Sequence, residues 1–366
     1  MLTKKITPII LFCFLFLPII GFSQTPSQDT ILTDKKIILE DSIDFFASTT
    51  IFQKIKQDSF YEVILKTDFD SLIKNKKISK DHYPGTILFK NGEGKQFKMK
   101  VKIEPRGRSR RRVCSSMPPL KIDFPKKALK ELGLFPGCDK LKLVTNCNDT
   151  EDSDQVLMKE YWIYNLYNQI TPNSFQVFPV KITYVNANNA DEKIERFAFF
   201  IESNEELELR LKGKATAGFG TTPAQIETNS YHNTVLFQYM IGNLDWDIRV
   251  QRNIKLIQPS VGGKPILVPY DFDFSGLVKA PHARLNPDYG QKNIEERFPQ
   301  GKFSNKASLL STAKAFSKLE KEGFRCYMSC AILDKSVKKK MNKYLTSFFR
   351  ILKDKSYLQE LFLAEG

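Results

Sequence analysis

The sequence predicts an α+β protein built as two lobes, a β-rich N-terminal lobe and a mostly helical C-terminal lobe. Between residues 61 and 202, short strand-like runs surround one long helix-like segment and one short one. From residue 306 onward, amphipathic helical patterns dominate. Strands grouped before helices are typical of the α+β class. The 366 residues, 42% of them hydrophobic, are enough to bury one large core or two packed lobes.

The strand predictions rest on alternation and on turn residues. In the run 97–104, the apolar residues from Phe97 to Ile103 share one face and the lysines take the other, as expected for a strand with one buried side. Asn-Gly-Glu-Gly at 91–94 predicts a hairpin turn that joins this strand to the one before it. The predicted strands are 61–67, 86–89, 97–104, 120–124, 141–144, 177–185 and 196–202.

Helices are predicted where a polar cap precedes 3.6-residue periodicity. Asp68 can cap a short helix at 70–74. The further helices are 155–169, capped by Asp152 or Ser153, then 204–211 and 228–241. The chain is therefore divided into a segment at 1–23, a lead-in at 24–58, an N-lobe at 59–203 and a C-lobe at 204–366.

Residues 1–23 have the features of a secretory signal. Lys4 and Lys5 precede an apolar run from 9 to 20, and small residues follow at 21 and 23. The run is shorter than the ~20 apolar residues that a transmembrane helix needs, and no later segment of the sequence approaches that length. We therefore expect an exported protein, in the periplasm, at the cell surface or secreted, with no transmembrane segment once the signal is removed.

The charge balance favours anionic partners. The formal net charge is +15, and loss of Lys4 and Lys5 with the signal would leave 15 − 2 = +13. Such a charge attracts nucleotides, phosphorylated substrates, anionic polymers and membrane surfaces, and it does not select among them. The densest basic run, 106–112, fits either a loop that grips phosphate or a solvated turn.

Five cysteines follow the predicted signal, namely Cys114, Cys138, Cys147, Cys326 and Cys330. In an exported protein, an odd number leaves at least one thiol without an intramolecular partner. Cys326 and Cys330 are four residues apart in a helix-like segment, which fits either a direct bridge or buried thiols. These cysteines and the three histidines fit no zinc-binding spacing.

Acidic and amide side chains concentrate on either side of a predicted β-hairpin at 254–268. The first side carries Asp245, Asp247 and Asn253, and the second carries Asp271 and Asp273. Because a hairpin brings its ends together, we expect these carboxylates to converge. Converging carboxylates repel unless a cation lies between them, and oxygen ligands suit Mg²⁺ or Mn²⁺ bound to a phosphate-bearing substrate. The set therefore predicts phosphoryl transfer, although each residue taken alone also fits a turn.

Several motifs resemble, in their order and spacing, the secreted CotH kinase-like family, named for spore coat protein H. The resemblance covers about residues 60–300 and rests on Arg106-Gly107-Arg108 with 110–112, Cys114, 118–121, 142–144, 241–246 and 269–276. It implies a two-lobed atypical protein-kinase-like fold that binds ATP and a divalent metal. It also implies phosphate transfer to a protein or another hydroxyl-bearing acceptor.

The resemblance assigns the acidic segments to catalysis and metal binding. Asp245 would receive the proton of the acceptor hydroxyl. Asn253 and Asp271 would hold Mg²⁺ or Mn²⁺, with Asp273 in support. In the ordinary protein-kinase loop Asn follows the catalytic Asp by five residues, whereas here the separation is 253 − 245 = 8. The metal turn also reads Asp-Phe-Asp in place of Asp-Phe-Gly.

The resemblance places the nucleotide against the N-lobe. Lys121 would neutralise phosphate oxygens, although an exposed strand lysine fits its alternating position equally well. The turn that begins at Arg106 would cover the phosphates, since the sequence contains no G-x-G-x-x-G loop. The strand that ends at Glu202 would offer backbone groups to adenine. Glu160, on the predicted helix, would either pair with Lys121 or lie on a solvated face.

A second function, of a different class, fits the same charge balance. A catalytically inactive envelope or surface protein with a kinase-like fold would bind anionic partners through its basic surface. Changing Asp245 and Asp271 to Asn separates the two functions, because an enzyme would lose turnover and a polyanion-binding protein would keep its binding.

Overall fold

Seven strands close into a β-barrel in the computed structural model, which describes residues 49–363 except 79, 80, 108, 151 and 329, without the side chains of 322, 325 and 326. Around the barrel the order is β1-β2-β3-β4-β5-β7-β6. The strands are β1 Glu62–Thr67, β2 Tyr83–Lys90, β3 Gln96–Pro105, β4 Leu120–Asp123, β5 Lys140–Val144, β6 Val177–Asn186 and β7 Lys193–Ile201.

The barrel closes where β1 pairs with β6. These two strands run parallel, with Glu62 opposite Lys181 and Thr67 opposite Asn186, whereas the other neighbours are antiparallel. Alternate side chains point inward and are apolar, as in β1, where Val63 and Leu65 are buried. Closure leaves this sheet without an exposed edge strand.

Helices surround the barrel and continue beyond it. They are α1 Ile51–Gln57, α2 Phe69–Asn75, α3 Arg110–Val113, α4 Lys126–Glu131, α5 Ser153–Ile170, α6 Asn204–Arg210, α7 Thr228–Ile241, α8 Lys306–Ser317, α9 Leu319–Met328, α10 Lys335–Lys353 and α11 Lys355–Phe362. A three-stranded sheet of order β10-β9-β8 comprises β8 Gly213–Thr216, β9 Ile254–Pro259 and β10 Ile266–Pro269. Short 3-10 helices lie at Pro223–Gln225 and Pro287–Tyr289.

The predicted two-lobed, protein-kinase-like α+β fold is wrong, because the structure is a closed seven-stranded barrel with helices. The physical reason is the pairing of β1 with β6, whose first residues are 177 − 62 = 115 positions apart. Alternation of apolar residues locates a strand but does not report which distant strand it pairs with. The individual strands and helices themselves lie close to the predicted positions.

A second hydrophobic core packs α5 and α7 against the C-terminal helices. Phe272 is fully buried in this core, edge-on to the rings of Tyr164 on α5 and Phe237 on α7. Trp246 is also buried here. The two aromatic residues therefore anchor the two acidic segments of the sequence to one rigid core.

A disulfide joins Cys114, directly after α3, to Cys147, in the loop before α5. Cys138 and Cys330 are buried free thiols, and the side chain of Cys326 lies outside the described residues. The predicted signal at 1–23, the lead-in as far as residue 48 and Arg108 also lie outside them. Within the described part of the chain, no helix is both long and apolar enough to cross a membrane.

Candidate functional site

The predicted β-hairpin is formed by β9 and β10, and it brings two candidate ligands side by side. Ile254 pairs with Pro269 in the ladder, and the N–H of Tyr270 donates to the carbonyl oxygen of Asn253 at 3.0 Å. Asn253 and Asp271 both have left-handed backbones, with φ of 51° and 62°. Asn and Asp adopt this conformation more readily than most residues, and such backbones cluster at functional sites.

Asp245 is held directly by Asn253. The Nδ2 of Asn253 donates to the Oδ2 of Asp245 at 2.9 Å and to its backbone oxygen at 2.7 Å. Between them, Asp247 and Arg252 exchange two backbone hydrogen bonds, of 3.1 and 2.8 Å, which close a small loop. Because this loop turns the chain back on itself, Asn253 contacts Asp245 although eight residues separate them in the sequence. The carboxylate of Asp247 accepts from the N–H of Arg249 within the turn, so Asp247 has a structural role.

Asp273 lies in a buried ion-pair network centred on Arg110 of α3. Its Oδ2 accepts from the Nε of Arg110 at 2.9 Å and is hydrogen-bonded to the Nε2 of His282 at 2.7 Å. The Nη2 of Arg110, which lies 2.8 Å from the same Oδ2 of Asp273, donates to Glu160 on α5 at 2.7 Å. Burial alone would raise the pKa of Asp273, but Arg110 and His282 hold that pKa below its ordinary value.

Asp271 carries a less compensated carboxyl group. Its N–H donates to the hydroxyl of Tyr164 at 2.9 Å. Burial raises the pKa of Asp271, the neighbouring charge of Asp273 raises it further, and Arg110 and Arg106 oppose the change. Burial also raises the pKa of Asp245, and Arg252 opposes that shift. A cation near Asp245 and Asp271 would therefore relieve an unfavourable concentration of negative charge.

The oxygen atoms of Asp245, Asn253 and Asp271 suit a small hard cation that also retains water or phosphate oxygens as ligands. Across the described ranges, no group of three or more His, Cys, Asp or Glu side chains is arranged to hold a metal ion. The Nδ2 of Asn253 donates to Asp245, and the backbone oxygen of Asn253 accepts from the N–H of Tyr270, the residue before Asp271. Mg²⁺ is usually held by one or two carboxylates together with substrate phosphates and water. An amide and one or two carboxylates match that requirement.

A basic cavity lies next to these acids, on the outer face of the barrel. It has a volume of about 150 Å³ and is lined by Arg106, Lys142, Lys255 and the aromatic rings of Tyr164, Phe175 and Tyr270. The ammonium of Lys142 lies 4.5 Å from the centroid of the Phe175 ring. Burial, and then the charge of Arg106, lower the pKa of Lys142 to about 7. Cations held together in this way favour an anionic ligand, and the rings provide surfaces for a planar group.

Lys142 lines the basic cavity, and the predicted phosphate ligand Lys121 is the neighbour of Lys142 on the same face of the barrel sheet. The two lysines are directly opposite each other in the β4–β5 ladder, so their side chains point the same way. Lys121 forms an ion pair of 2.8 Å with Glu104 on β3 and does not pair with Glu160. Glu160 is buried and engaged by Arg110, so neither of its predicted positions was right. Both lysines occupy the same face of the sheet, so the alternation of apolar and charged residues in the sequence could not show which of them lines the cavity.

Glu202 lies at the end of β7 with both its amide and its side chain engaged. Its N–H donates to the carbonyl oxygen of Gln176 at 3.1 Å, and its carboxylate accepts from the N–H of Gln176 at 2.9 Å. The carboxylate also pairs with Arg210 at 2.6 Å. Its chain neighbours Ile201 and Asn204 line the basic cavity. The N–H of Glu202 is therefore already bonded within the protein, and the contact with adenine stays a prediction.

The basic run at 106–112 combines two environments. Arg106 lines the basic cavity and Arg110 is nearly enclosed, whereas Arg112 is exposed. The run 106–112 is therefore neither a fully solvated turn nor a loop in which every arginine is available to phosphate. Arg110 was missed as a structural partner because its carboxylates lie 50 and 163 residues away in the chain.

Asp245 also opens onto a second cavity. This cavity of about 220 Å³ is lined by Asp245, Arg252, Phe274, Arg284 and Asp288 among others. Asp245 therefore reaches a space that could admit a hydroxyl-bearing molecule. The positions of Arg252 and Arg284 place positive charge beside that space.

No protein-family model and no curated protein matches the chain. Among solved structures, it is similar to the Helicobacter pylori proinflammatory kinase CtkA, with a TM-score of 0.34 and 9% sequence identity, over 76% of this chain and 93% of that one. A similarity of this extent establishes neither a shared fold nor a shared activity.

Proposed function

We propose that the protein transfers a phosphoryl group from ATP to the hydroxyl of a protein or another acceptor, with Mg²⁺ or Mn²⁺. The observation that carries the proposal is the contact between Asp245 and Asn253 beside Asp271, next to a basic cavity that contains Lys142. Phosphoryl transfer depends mainly on positioning and charge neutralisation, so one acidic and one basic cluster side by side are what it requires.

Asp245 receives the proton of the acceptor hydroxyl in this proposal. It lines a cavity that can admit the acceptor, and its raised pKa makes it a stronger base than an ordinary aspartate. Asn253 fixes the orientation of the Asp245 carboxylate through the bond from its Nδ2. Asn253 and Asp271 would hold the divalent cation, which when bound neutralises charge on the phosphate groups.

Lys142 and Arg106 hold the phosphate end of the nucleotide. Both lie in the basic cavity, and for both residues burial lowers the pKa, so an added anion would be favoured there. The cavity, at about 150 Å³, is smaller than the ~300–1,000 Å³ typical of sites for small molecules. The remainder of the nucleotide would therefore lie outside this cavity. Lys121 contributes at longer range, since its ammonium is already paired with Glu104.

The test is transfer from γ-labelled ATP by the purified protein in the presence of Mg²⁺ or Mn²⁺. The acceptors are the protein itself and a set of Ser-, Thr- and Tyr-containing peptides. We expect Asp245→Asn to reduce transfer by about 10²- to 10⁴-fold, the usual contribution of a general base. Asp247→Asn is the matched control, because this neighbouring carboxylate only closes a turn. Absence of transfer by the unmodified protein to any of these acceptors, together with no nucleotide-dependent rise in Tm, would refute the proposal.

A second candidate function is binding of anionic partners without catalysis. The observation in its favour is that Arg110 already pairs with Asp273 and Glu160, so part of the acidic cluster is neutralised by the protein itself. This alternative predicts tight binding to a polyanion such as heparin, with affinity that falls steeply with salt. It also predicts that Asp245→Asn and Asp271→Asn leave that binding unchanged.

A further inference from the structure

A third cavity lies apart from the acidic and basic clusters. Its volume is about 710 Å³, and it lies between the first turns of α5, the chain segment at 276–281 and helix α10. It shares no lining residue with the cavities at Asp245 and Lys142. Sites for small molecules typically measure ~300–1,000 Å³, so this cavity is large enough to bind one.

A half-buried ammonium group lies in the wall of this cavity. Lys159 of α5 donates to the carbonyl oxygen of Val278, and no carboxylate of the described residues forms an ion pair with it. Burial, and then the charge of Lys279, lower the pKa of Lys159 to about 8. Lys279 itself is paired with Glu295 at 2.8 Å. The carboxylates of Glu295 and Asp152 oppose that pKa shift without forming an ion pair with Lys159, so an anion placed at Lys159 would provide a direct counter-charge.

Helix α10 adds more positive charge on the facing side. Lys340 and Lys343 are three residues apart, so they share one face of the helix, and both line the cavity. The cavity also contains Asp152 and Asp334, which stand at the N-cap positions of α5 and α10. At these positions each carboxylate lies near the positive end of its own helix, which offsets part of its negative charge, and neither side chain forms a capping hydrogen bond. A third carboxylate of the wall, that of Glu295, is paired with Lys279.

The remaining wall is largely apolar. Val156, Leu277, Val337 and Met341 contribute side chains to it. The hydroxyl of Tyr344, which also lines the cavity, is buried and has no hydrogen-bond partner within the part of the chain that the structure describes. The cavity thus combines ammonium groups with an apolar surface that favours hydrocarbon.

We infer that this cavity binds a small amphiphilic anion, in which a phosphate or carboxylate group at Lys159 and Lys340 is joined to an apolar chain along Val156 and Met341. The inference does not depend on phosphoryl transfer, because none of these residues belongs to the proposed active site. An inorganic anion alone would leave the apolar wall uncovered. An uncharged hydrocarbon would leave the ammonium group of Lys159 without a counter-charge.

The test is calorimetric titration of the whole protein with four probes below their micelle concentrations. The probes are octyl phosphate, octanoate, octanol and inorganic phosphate. We expect one of the two acidic amphiphiles to bind at least about tenfold more tightly than octanol or inorganic phosphate, since each of those lacks one of the two interactions. The preference between octyl phosphate and octanoate identifies the acidic group.

Three variants locate the site. Lys159→Met should weaken binding of the preferred probe by about tenfold or more, the usual effect of losing a charge-assisted hydrogen bond. The double variant Lys340→Gln with Lys343→Gln changes only exposed side chains and should weaken it as well, which keeps the test decisive if Lys159→Met does not fold. Lys339→Met removes an exposed lysine of the same helix outside the cavity and should change the affinity less than twofold. Absence of binding, equal binding of inorganic phosphate, or an equal loss in Lys339→Met would overturn the inference.

Discussion

Removal of Arg110 should destabilise the protein strongly, because one guanidinium compensates two buried carboxylates. The side chains of Glu160 and Asp273 are only 4% and 6% exposed, and that of Arg110 is 12% exposed. Arg110→Met keeps most of the apolar stem and removes the charge. Both carboxylates then lose their cation in an environment where water cannot replace it.

The expected magnitude follows from this burial. Taking one partner from a buried ion pair costs about 3–5 kcal/mol. In a protein of more than 250 residues, each kcal/mol lowers Tm by roughly 2 °C, so the expected fall is roughly 6–10 °C. The loss should be largest at neutral pH and smaller at pH 5. Burial already raises the pKa of Glu160 to about 7 although Arg110 opposes the shift, and loss of Arg110 would raise it further. The pKa of Asp273, which Arg110 helps to hold below its ordinary value, would rise as well, and stability from groups with raised pKa values is lost as pH rises.

The assay is urea and thermal unfolding followed by circular dichroism. Arg112→Met is the matched control, because Arg112 is exposed on the same short helix, and it should change stability by less than about 0.5 kcal/mol. Adding Glu160→Gln and Asp273→Asn to Arg110→Met should recover at least half of the loss, since no buried carboxylate then lacks a cation. A loss below about 1 kcal/mol, or one that the triple variant does not reduce, would show that the network is not a buried ion pair.

Three further predictions concern other parts of the molecule. Burial raises the pKa of Glu206 to about 8, so the folded protein retains a proton there and loses stability as pH rises from about 4.5 to 8. Glu206→Gln should therefore match the unmodified protein at pH 4.5 and exceed it by roughly 4–5 kcal/mol at pH 8.5, in unfolding titrations at each pH. Replacing Cys114 and Cys147 by Ala should lower stability by about 3–4 kcal/mol, from the loop-closure entropy for a separation of 33 residues, and a reducing agent should then have no further effect. ATP with Mg²⁺ at a hundredfold excess over Kd should raise the free energy of unfolding by about 2.7 kcal/mol, which is measured as a rise in Tm. Lys142→Met should abolish that rise, whereas Lys121→Met should reduce it only partly. Equal effects of the two lysine substitutions would contradict the placement of the nucleotide phosphates.

Local structure could be predicted from this sequence because its signals are local. The helix α7 at Thr228–Ile241 and the β9–β10 hairpin follow from periodicity and from turn residues a few positions apart. Strand β8 was missed because Gly213–Thr216 is short, polar and rich in small residues. It pairs with β9 through backbone atoms, and its sequence carries no alternation.

Long-range pairing accounts for most of what the sequence did not reveal. The closure of the barrel depends on β1 meeting β6, and no residue in either strand identifies its partner. The hydrogen bond from Tyr270 to Asn253 was predictable, because a single hairpin joins the two segments. The role of Arg110 and the burial of Lys142 were not, since both depend on elements far away in the chain.

The most direct test of the central claim is a crystal structure with Mn²⁺ and a non-hydrolysable ATP analogue, using the anomalous signal of manganese. The account predicts manganese at the side-chain oxygens of Asn253 and Asp271, with the phosphates of the analogue in contact with Lys142 and Arg106. Manganese at any other place, or an analogue whose phosphates lie away from Lys142, would contradict it.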